Sequence, residues 1–406
     1  MRILVVTNLF PPVVIGGYEM GCEQQISRLR SRGHDVTVLT SSWKRDEAPE
    51  QSGVHRVLPI SFEPTSFWVR SWREIRSQRA ARRVLRAAPP DVTYVFNVRW
   101  ISRSVLFLAQ EHAPVAYFVS DPWLADEMLE DGWAGPWQRQ LSSAAPSVRS
   151  SVARVVSALL PDRVARTRFG QLDLEHVTFS SDAVRRDAVD AGHSSPDAPI
   201  IHCAVDVVAF RPRPPVDQML RFLYVGQVMP HKGVKTALTA FFDLCRAHPD
   251  RHLELSLVGG TMWPDYEEEI RAFVHDSGLA ERIRFVGSID KAAMPALYAT
   301  HDALIFPSEW EEPFSLVLLE AMASGLPIVA TMTGGTPEIA VPDGNVLAFD
   351  AGDAADCRSQ LERLFDLDVA RRLQTAARAT VETRFTIEGQ VDAVEESLRA
   401  VAVSGS

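Results

Sequence analysis

The stretch Phe306-Pro-Ser-Glu-Trp-Glu-Glu-Pro-Phe-Ser-Leu-Val-Leu-Leu-Glu-Ala-Met-Ala-Ser-Gly-Leu-Pro327 joins two apolar runs through an acidic loop and a helix-forming segment. The run at 303–306 predicts a buried strand, and the run at 327–330 predicts the next one. Between them Ser315 suits a helix N-cap, the helix runs to Ser324, and Gly325 stops it. Strand, helix, strand at this spacing is the repeating unit of a parallel sheet. Ligands of such sheets sit at the carboxyl ends of the strands, in loops that lead into helices. The acidic loop with Glu312 therefore lies where a ligand is expected.

The alternation extends outward on both sides. Upstream in the same half, strands are predicted at 222–225, 253–258 and 283–286, with a helix over 234–248. The first half opens with a strand at 3–6, a loop holding Pro11-Pro12 and Gly16-Gly17, a helix over 20–32 with Gly33 as C-cap, and a strand at 36–39. Further strands are expected at 92–96, 115–119 and 177–180. The Pro-rich stretch Phe210-Arg-Pro-Arg-Pro-Pro215 reads as a linker. The expected division is 1–210, 211–385, and a helix over 386–406 that returns to the first domain.

Bulk properties bound the function. At 406 residues the chain exceeds one ordinary core, and two domains of about 150–200 residues are expected. Hydrophobic content of 46% and charged content of 23% are those of a soluble globular protein. No apolar run approaches the ~20 residues that span a bilayer, and the first residues read as a strand rather than a signal segment. Four scattered cysteines (Cys22, Cys203, Cys245, Cys357) with no CxxC pair argue against a zinc site or disulfides and for the cytoplasm. A net charge of −10 argues against nucleic acid as a partner. Residues 1–205 hold 24 Lys and Arg against 22 Asp and Glu, and residues 206–406 hold 18 against 30, as two domains with different ligands would.

Three loops of the second half stand at strand ends. Val225-Gly-Gln-Val-Met-Pro-His-Lys-Gly233 offers Gly226 for close backbone approach and Lys232 to neutralise a phosphate. A surface lysine beside a turn glycine fits the same residues, and the spacing is not that of a P-loop. Leu257-Val-Gly-Gly-Thr261, with Gly259, either admits a ligand or makes a tight turn. In the third loop the helix start after Ser315 turns N–H groups and the positive dipole end toward a diphosphate. Glu312 precedes that start and Glu320 follows it. Two carboxylates around an anion anchor suit a nucleoside diphosphate sugar, with ribose on one side and the transferred sugar on the other.

Pro307-Ser308, Glu312 through Pro327, and Gly334-Gly-Thr-Pro-Glu338 together resemble the donor domain of the retaining glycosyltransferases of family 4, the glycosyl transferases group 1, which carry a Glu-x7-Glu motif. The first half is similar to the family's acceptor domain through Pro11-Pro12 and Gly16-Gly17. The resemblance implies an α/β GT-B fold: two Rossmann-like doubly wound domains facing a cleft. It implies an enzyme that moves a hexose from a nucleotide-sugar, UDP being the commoner choice, to a hydroxyl of a glycan, a lipid-linked glycan or a small metabolite. Residue by residue, it implies that Glu320 binds the ribose hydroxyls and that Glu312 holds the transferred sugar near its reacting carbon. It implies that Lys232 stabilises the leaving diphosphate with the amides of Phe314, Ser315 and Leu316. Ile289 falls at the base pocket, Gly226 and Gly259 along the donor, and Gly16 and Gly17 at the donor phosphate.

Three positions depart from the family pattern. Gln227 stands where Arg is usual, and His231 is the candidate for the missing charge. Ser315 replaces the usual Gly. Ser120-Asp121-Pro122-Trp123 stands where a His is common, and Asp121 either contacts the sugar or acceptor there or caps a helix. No general base is assigned, since the resemblance implies a front-face substitution in which the leaving phosphate helps to take the acceptor proton. No metal or cofactor is expected, and Asp366-Leu-Asp368 reads as a solvated helix face.

Competing readings are a sugar-nucleotide epimerase, a non-catalytic sugar-nucleotide-binding protein, and a Rossmann dehydrogenase. The last lacks a G-x-G-x-x-G after either domain's first strand. A separate feature is the segment 66–86, with seven arginines and one acid. Arg70, Arg73, Arg76 and Arg79 recur every three residues and are expected near one helical face. With Phe67, Trp68 and Trp72 at its start, the segment either contacts a membrane surface from the cytoplasmic side or forms a solvated arginine face.

Overall fold

The computed structural model describes residues 1–60, 66–126, 147–159 and 172–404. These divide into two units, Met1–Ile201 with Val391–Ser406, and His202–Gln390.

In the first unit, β1 (Arg2–Thr7), β2 (Asp35–Ser41), β3 (Val54–Leu58), β4 (Val92–Asn97), β5 (Val115–Val119) and β6 (Val177–Phe179) form one sheet in the order β3-β2-β1-β4-β5-β6. Every pairing is parallel. The helices are α1 (Gly17–Ser31), α2 (Phe67–Ala87), α3 (Ser104–Gln110), α4 (Trp123–Asp126), α5 (Val148–Leu159) and α6 (Asp182–Asp190). The chain order reverses between β1 and β4, and in such sheets this is the point where ligands bind.

The second unit repeats the plan. Strands β7 (Arg221–Val225), β8 (Glu254–Val258), β9 (Ile283–Gly287), β10 (Ala303–Phe306), β11 (Ile328–Thr331) and β12 (Leu347–Phe349) lie in the order β12-β11-β10-β7-β8-β9, again all parallel. Its helices are α7 (Val234–Ala247), α8 (Pro264–Asp276), α9 (Met294–Ala299), α10 (Leu316–Ala323), α11 (Ala354–Arg363) and α12 (Leu367–Arg384). The last helix, α13 (Ile387–Ser404), begins in the second unit, and its residues from Val391 belong to the first. The Pro-rich stretch 210–215 lies inside the second unit: Gln374 donates to the carbonyls of Arg213 and Pro214 at 3.2 and 3.1 Å.

Burial on both faces explains the near-continuous apolar runs. Phe222 and Tyr224 of β7 enter a core with Leu238 and Phe241 of α7. Leu223 between them enters the opposite core with Leu318 and Met322 of α10. A strand covered on both faces has no polar positions to alternate with. The expected strands all form, within a residue or two at each end. Two more, β3 and β12, are sheet edges that the apolar pattern did not announce. β3 carries His55 and Arg56 within its five residues, and β12 is three residues long.

Candidate functional site

The second sheet's order reverses between β7 and β10, and the two loops leaving those strands meet there. The loop after β7 ends in a short 3₁₀ turn (Pro230–Lys232) closed by Gly233 at φ 67°. A Cβ on Gly233 would stand 1.8 Å from the carbonyl oxygen of Pro307 in the other loop, so the close approach requires glycine. Held this way, Lys232 Nζ donates to Glu312 Oε1 at 2.6 Å. The Ser308 hydroxyl donates to the same oxygen at 2.7 Å. The ammonium also lies 4.6 Å from the ring centroid of Trp310, a cation–π contact. One N–H given to Glu312 leaves the ammonium two more to offer an anion.

The following helix is built as its residues indicate. Ser315 is the N-cap of α10, its Oγ accepting the N–H of Leu318 at 3.3 Å. The first-turn N–H groups of α10 have no partner within the helix's own ladder, which gives this end its affinity for anions. Beyond Glu312, the carbonyl of that residue accepts the N–H of Gly335 at 2.7 Å. The Gly-Gly-x-x-Glu segment thus braces the acidic loop.

Glu320, on α10, is buried. Tyr298 of α9 donates to its Oε2 at 3.2 Å, and Lys291 Nζ is 3.8 Å from its Oε1. Burial raises the Glu320 pKa, while Lys291 and Tyr298 pull it back. The two carboxylates of the Glu-x7-Glu motif are therefore separately partnered, one by Lys232 and Ser308, the other by Lys291 and Tyr298.

Other expected residues take more modest places. Gly259 lets two backbone segments approach closely: its absent Cβ would lie 1.8 Å from the Gly226 carbonyl oxygen. Gln227 accepts the Tyr224 hydroxyl on its backbone oxygen at 2.9 Å. His231, the candidate for the missing arginine charge, lies beside Lys232, its ring 5.5 Å from that of Trp310. Burial, then the charge of Lys232 beside it, lowers its pKa below the ordinary histidine value, while Glu312 raises it. The Phe314 ring packs on His202 and Phe385 at 5.2 and 5.8 Å, leaving the backbone as the part able to meet a ligand. Ile289 is half-buried against the core that includes α10. Asp366 caps α12, its Oδ1 accepting the N–H of Asp368 at 3.0 Å, so the Asp-x-Asp is a helix start. No group of metal-ligand residues occurs among the described residues.

The first unit has its own polar cluster at the β1–β4 reversal. Asp121, after β5, accepts from Asn97 Nδ2 at 2.7 Å and from the N–H of Trp123 at 3.0 Å. Asp121 thus accepts the first N–H of α4 and is also a half-buried carboxylate, with Arg99 Nε at 3.9 Å. The Gly16-Gly17 loop is held by Glu19, whose two carboxylate oxygens accept the N–H groups of Ile15 and Gly16 at 2.9 and 3.0 Å. Burial pushes the Glu19 carboxyl up to about 7. Tyr18 donates to Asn8 at 2.6 Å. Burial, then the charges of Glu19 and Asp121, raises its pKa well above the usual phenol value. Glu19 was legible in principle, three residues after a loop glycine in capping-box position. Asn97, Lys291 and Tyr298 carried no local signal, because elements distant in sequence bring them in: Asn97 ends β4, and Lys291 and Tyr298 lie on a 3₁₀ turn and on α9 between β9 and β10.

A family model described as Glycosyl transferases group 1 matches residues 210–380. A second, described as Glycosyl transferase 4-like domain, matches residues 16–170. The chain belongs to the group 1 glycosyltransferases. Among curated relatives, it is 29% identical to a glycogen synthase of Mycobacterium tuberculosis, covering 95% of this chain and 91% of the relative. It is 26% identical to that organism's GDP-mannose-dependent alpha-(1-6)-phosphatidylinositol monomannoside mannosyltransferase, over 95% and 94% of the two chains. Its fold is that of Anabaena HepE, solved in complex with UDP and glucose, with a TM-score of 0.68 at 19% identity over 98% and 99% of the chains. This group 1 glycosyltransferase is thus an enzyme of two parallel α/β units.

Proposed function

We propose that the chain is a retaining glycosyltransferase that moves a hexose from UDP to an acceptor hydroxyl without a metal ion. The observation that carries this reading is the contact of Lys232 with Glu312 at the β7–β10 reversal, beside the start of α10. One cationic donor, one carboxylate and a helix N-terminus sit together where a diphosphate and its sugar would need them.

In this reading the bond from the sugar's anomeric carbon to the diphosphate oxygen breaks, and the bond to the acceptor oxygen forms on the same face. The acceptor proton passes to the departing phosphate. The residues stabilise charge rather than react covalently. Lys232 and the first N–H groups of α10 take up the negative charge that grows on the diphosphate. Glu312 accepts from sugar hydroxyls near the carbon that gains positive character. Glu320, held by Tyr298 and Lys291, accepts from the ribose. The cluster of Tyr18, Asn97 and Asp121 is the first unit's candidate for binding the acceptor. UDP is favoured by the nucleotide bound in the HepE structure, and the GDP-mannose-dependent relative supplies the alternative to test.

Donor hydrolysis by the purified protein, assayed against UDP-, GDP-, ADP- and TDP-sugars, tests the reading. UDP-hexose turnover is expected, unchanged by EDTA and reduced about 10²-fold in Glu312→Ala. Full turnover in Glu312→Ala overturns that residue's part, turnover lost to EDTA overturns the metal-free mechanism, and preference for a GDP-sugar overturns the assignment of the base.

A further inference from the structure

Helix α2 of the first unit divides lengthwise into an inner and an outer face. Ser77, Gln78, Ala81, Val84 and Leu85 are buried, the last three residues in the core of the unit. On the opposite side, Trp68 is 52% exposed, Val69 41%, Trp72 56% and Ile75 49%. The outer face continues with exposed Arg76, Arg79, Arg83 and Arg86. At 3.6 residues per turn, these eight positions fall within about 120° of one another. The three-residue spacing of Arg70, Arg73, Arg76 and Arg79 does not keep them together, because each step moves back about 60°. Arg73 instead is half-buried and donates to the Ile60 carbonyl at 3.3 Å.

Two properties distinguish this face from a solvated one. Its apolar and cationic residues are segregated, with the aromatic and aliphatic side chains up to Ile75 and the arginines from Arg76 onward. The helix's acid is also turned inward: Glu74 accepts from Gln78 at 2.8 Å and from the Ser102 hydroxyl. Arg76 stacks on Trp72 at 4.6 Å, joining the two halves. Large aromatic side chains about half exposed at this density mark a contact surface.

We infer that the outer face of α2 docks on the surface of an anionic lipid bilayer, without crossing it. No helix among the described residues is long and apolar enough to span a membrane. Charge complementarity selects the occupant. A second copy of the same face would set arginines against arginines if parallel and against tryptophans if antiparallel, and in neither case would this face offer an acid to answer them. A nucleic-acid backbone would answer the arginines but give Trp68, Val69, Trp72 and Ile75 nothing apolar to enter, and the chain's net charge is −10. A lipid interface meets both needs, with headgroup phosphates for the guanidinium groups and the acyl boundary for the rings.

Co-sedimentation of the full chain with phosphatidylcholine vesicles, and with vesicles holding about 30% phosphatidylglycerol, tests the inference at about 0.1 M salt. At least tenfold tighter binding to the anionic vesicles is expected. Removing the arginines one by one in the series Arg76→Gln, Arg79→Gln, Arg83→Gln and Arg86→Gln is expected to weaken binding about fivefold each. With dibrominated acyl chains, tryptophan emission is expected to be quenched, and Trp68→Ser with Trp72→Ser to lose that quenching. Absence of binding, or equal binding to neutral and anionic vesicles, overturns the inference in the unmodified chain alone. So does self-association in light scattering without vesicle binding, which makes a second copy the occupant.

Discussion

Lys232 and Glu312 stand eighty positions apart in the chain and 2.6 Å apart in space. The pairing makes each residue's contribution depend on the other. Without the ammonium, the Glu312 carboxylate stays buried beside Ser308, and without the carboxylate, the ammonium keeps its Trp310 contact but loses its anchor. Lys232→Ala is expected to lower donor turnover about 10²–10³-fold. The double change with Glu312→Ala is expected to cost far less than the product of the single effects, since groups that act together are not additive. Turnover measured across this double-mutant cycle checks the coupling; strict additivity would mean that the two residues act independently. Neither partner's sequence neighbourhood reveals the pair. Lys232 read alone fits a surface lysine as well as a phosphate contact, and only the adjacency of β7 and β10 sets it beside Glu312.

At the level of elements, the start of α1 shows a motif with an added property. Glu19 satisfies the N–H groups of Ile15 and Gly16 as a capping residue does, but it does so fully buried. Its pKa rises from 4.5 to about 7, so the folded chain holds this proton more tightly than the unfolded chain. The associated stability is fully present below the unfolded value and is lost as pH rises through about 7. Between those limits the loss is about 3 kcal/mol. Urea unfolding at pH 5 and pH 7.5 is expected to show a smaller difference in Glu19→Gln than in the unsubstituted chain. An unchanged difference would assign the slope to other groups. The helix α10 contrasts with this: Ser315, Ser324 and Gly325 marked both its ends in the sequence, and it runs from Leu316 to Ala323 as those signals require.

For the whole molecule, α13 shows how distant chain segments complete a unit. Val394, Leu398 and Val401 are buried, although nearly two hundred residues separate them from the rest of the first unit. Arg32 and His34 reach Glu395 at 3.0 and 3.1 Å. Leu398→Ala is expected to cost about 2–5 kcal/mol. Because the loss falls on the first unit, limited proteolysis is expected to cut first within residues 1–201; first cuts within 202–390 would place the effect elsewhere.

By itself the sequence determined that the chain is α/β, that its sheets are parallel, and that the segment from Pro307 to Pro327 carries a glycosyltransferase motif. Those properties reside in local periodicity, capping residues and a contiguous motif, which a linear reading captures. The edge strands β3 and β12, the pairing of Lys232 with Glu312, the Lys291 and Tyr298 partners of Glu320, and the lowered pKa of His231 were decided only by tertiary structure. Strand order, burial and the distance between loops set them, and none of these is a property of any single stretch of chain. The arginines of α2 make the same point: the sequence showed their number, but helix rotation and packing against the core chose which of them face outward.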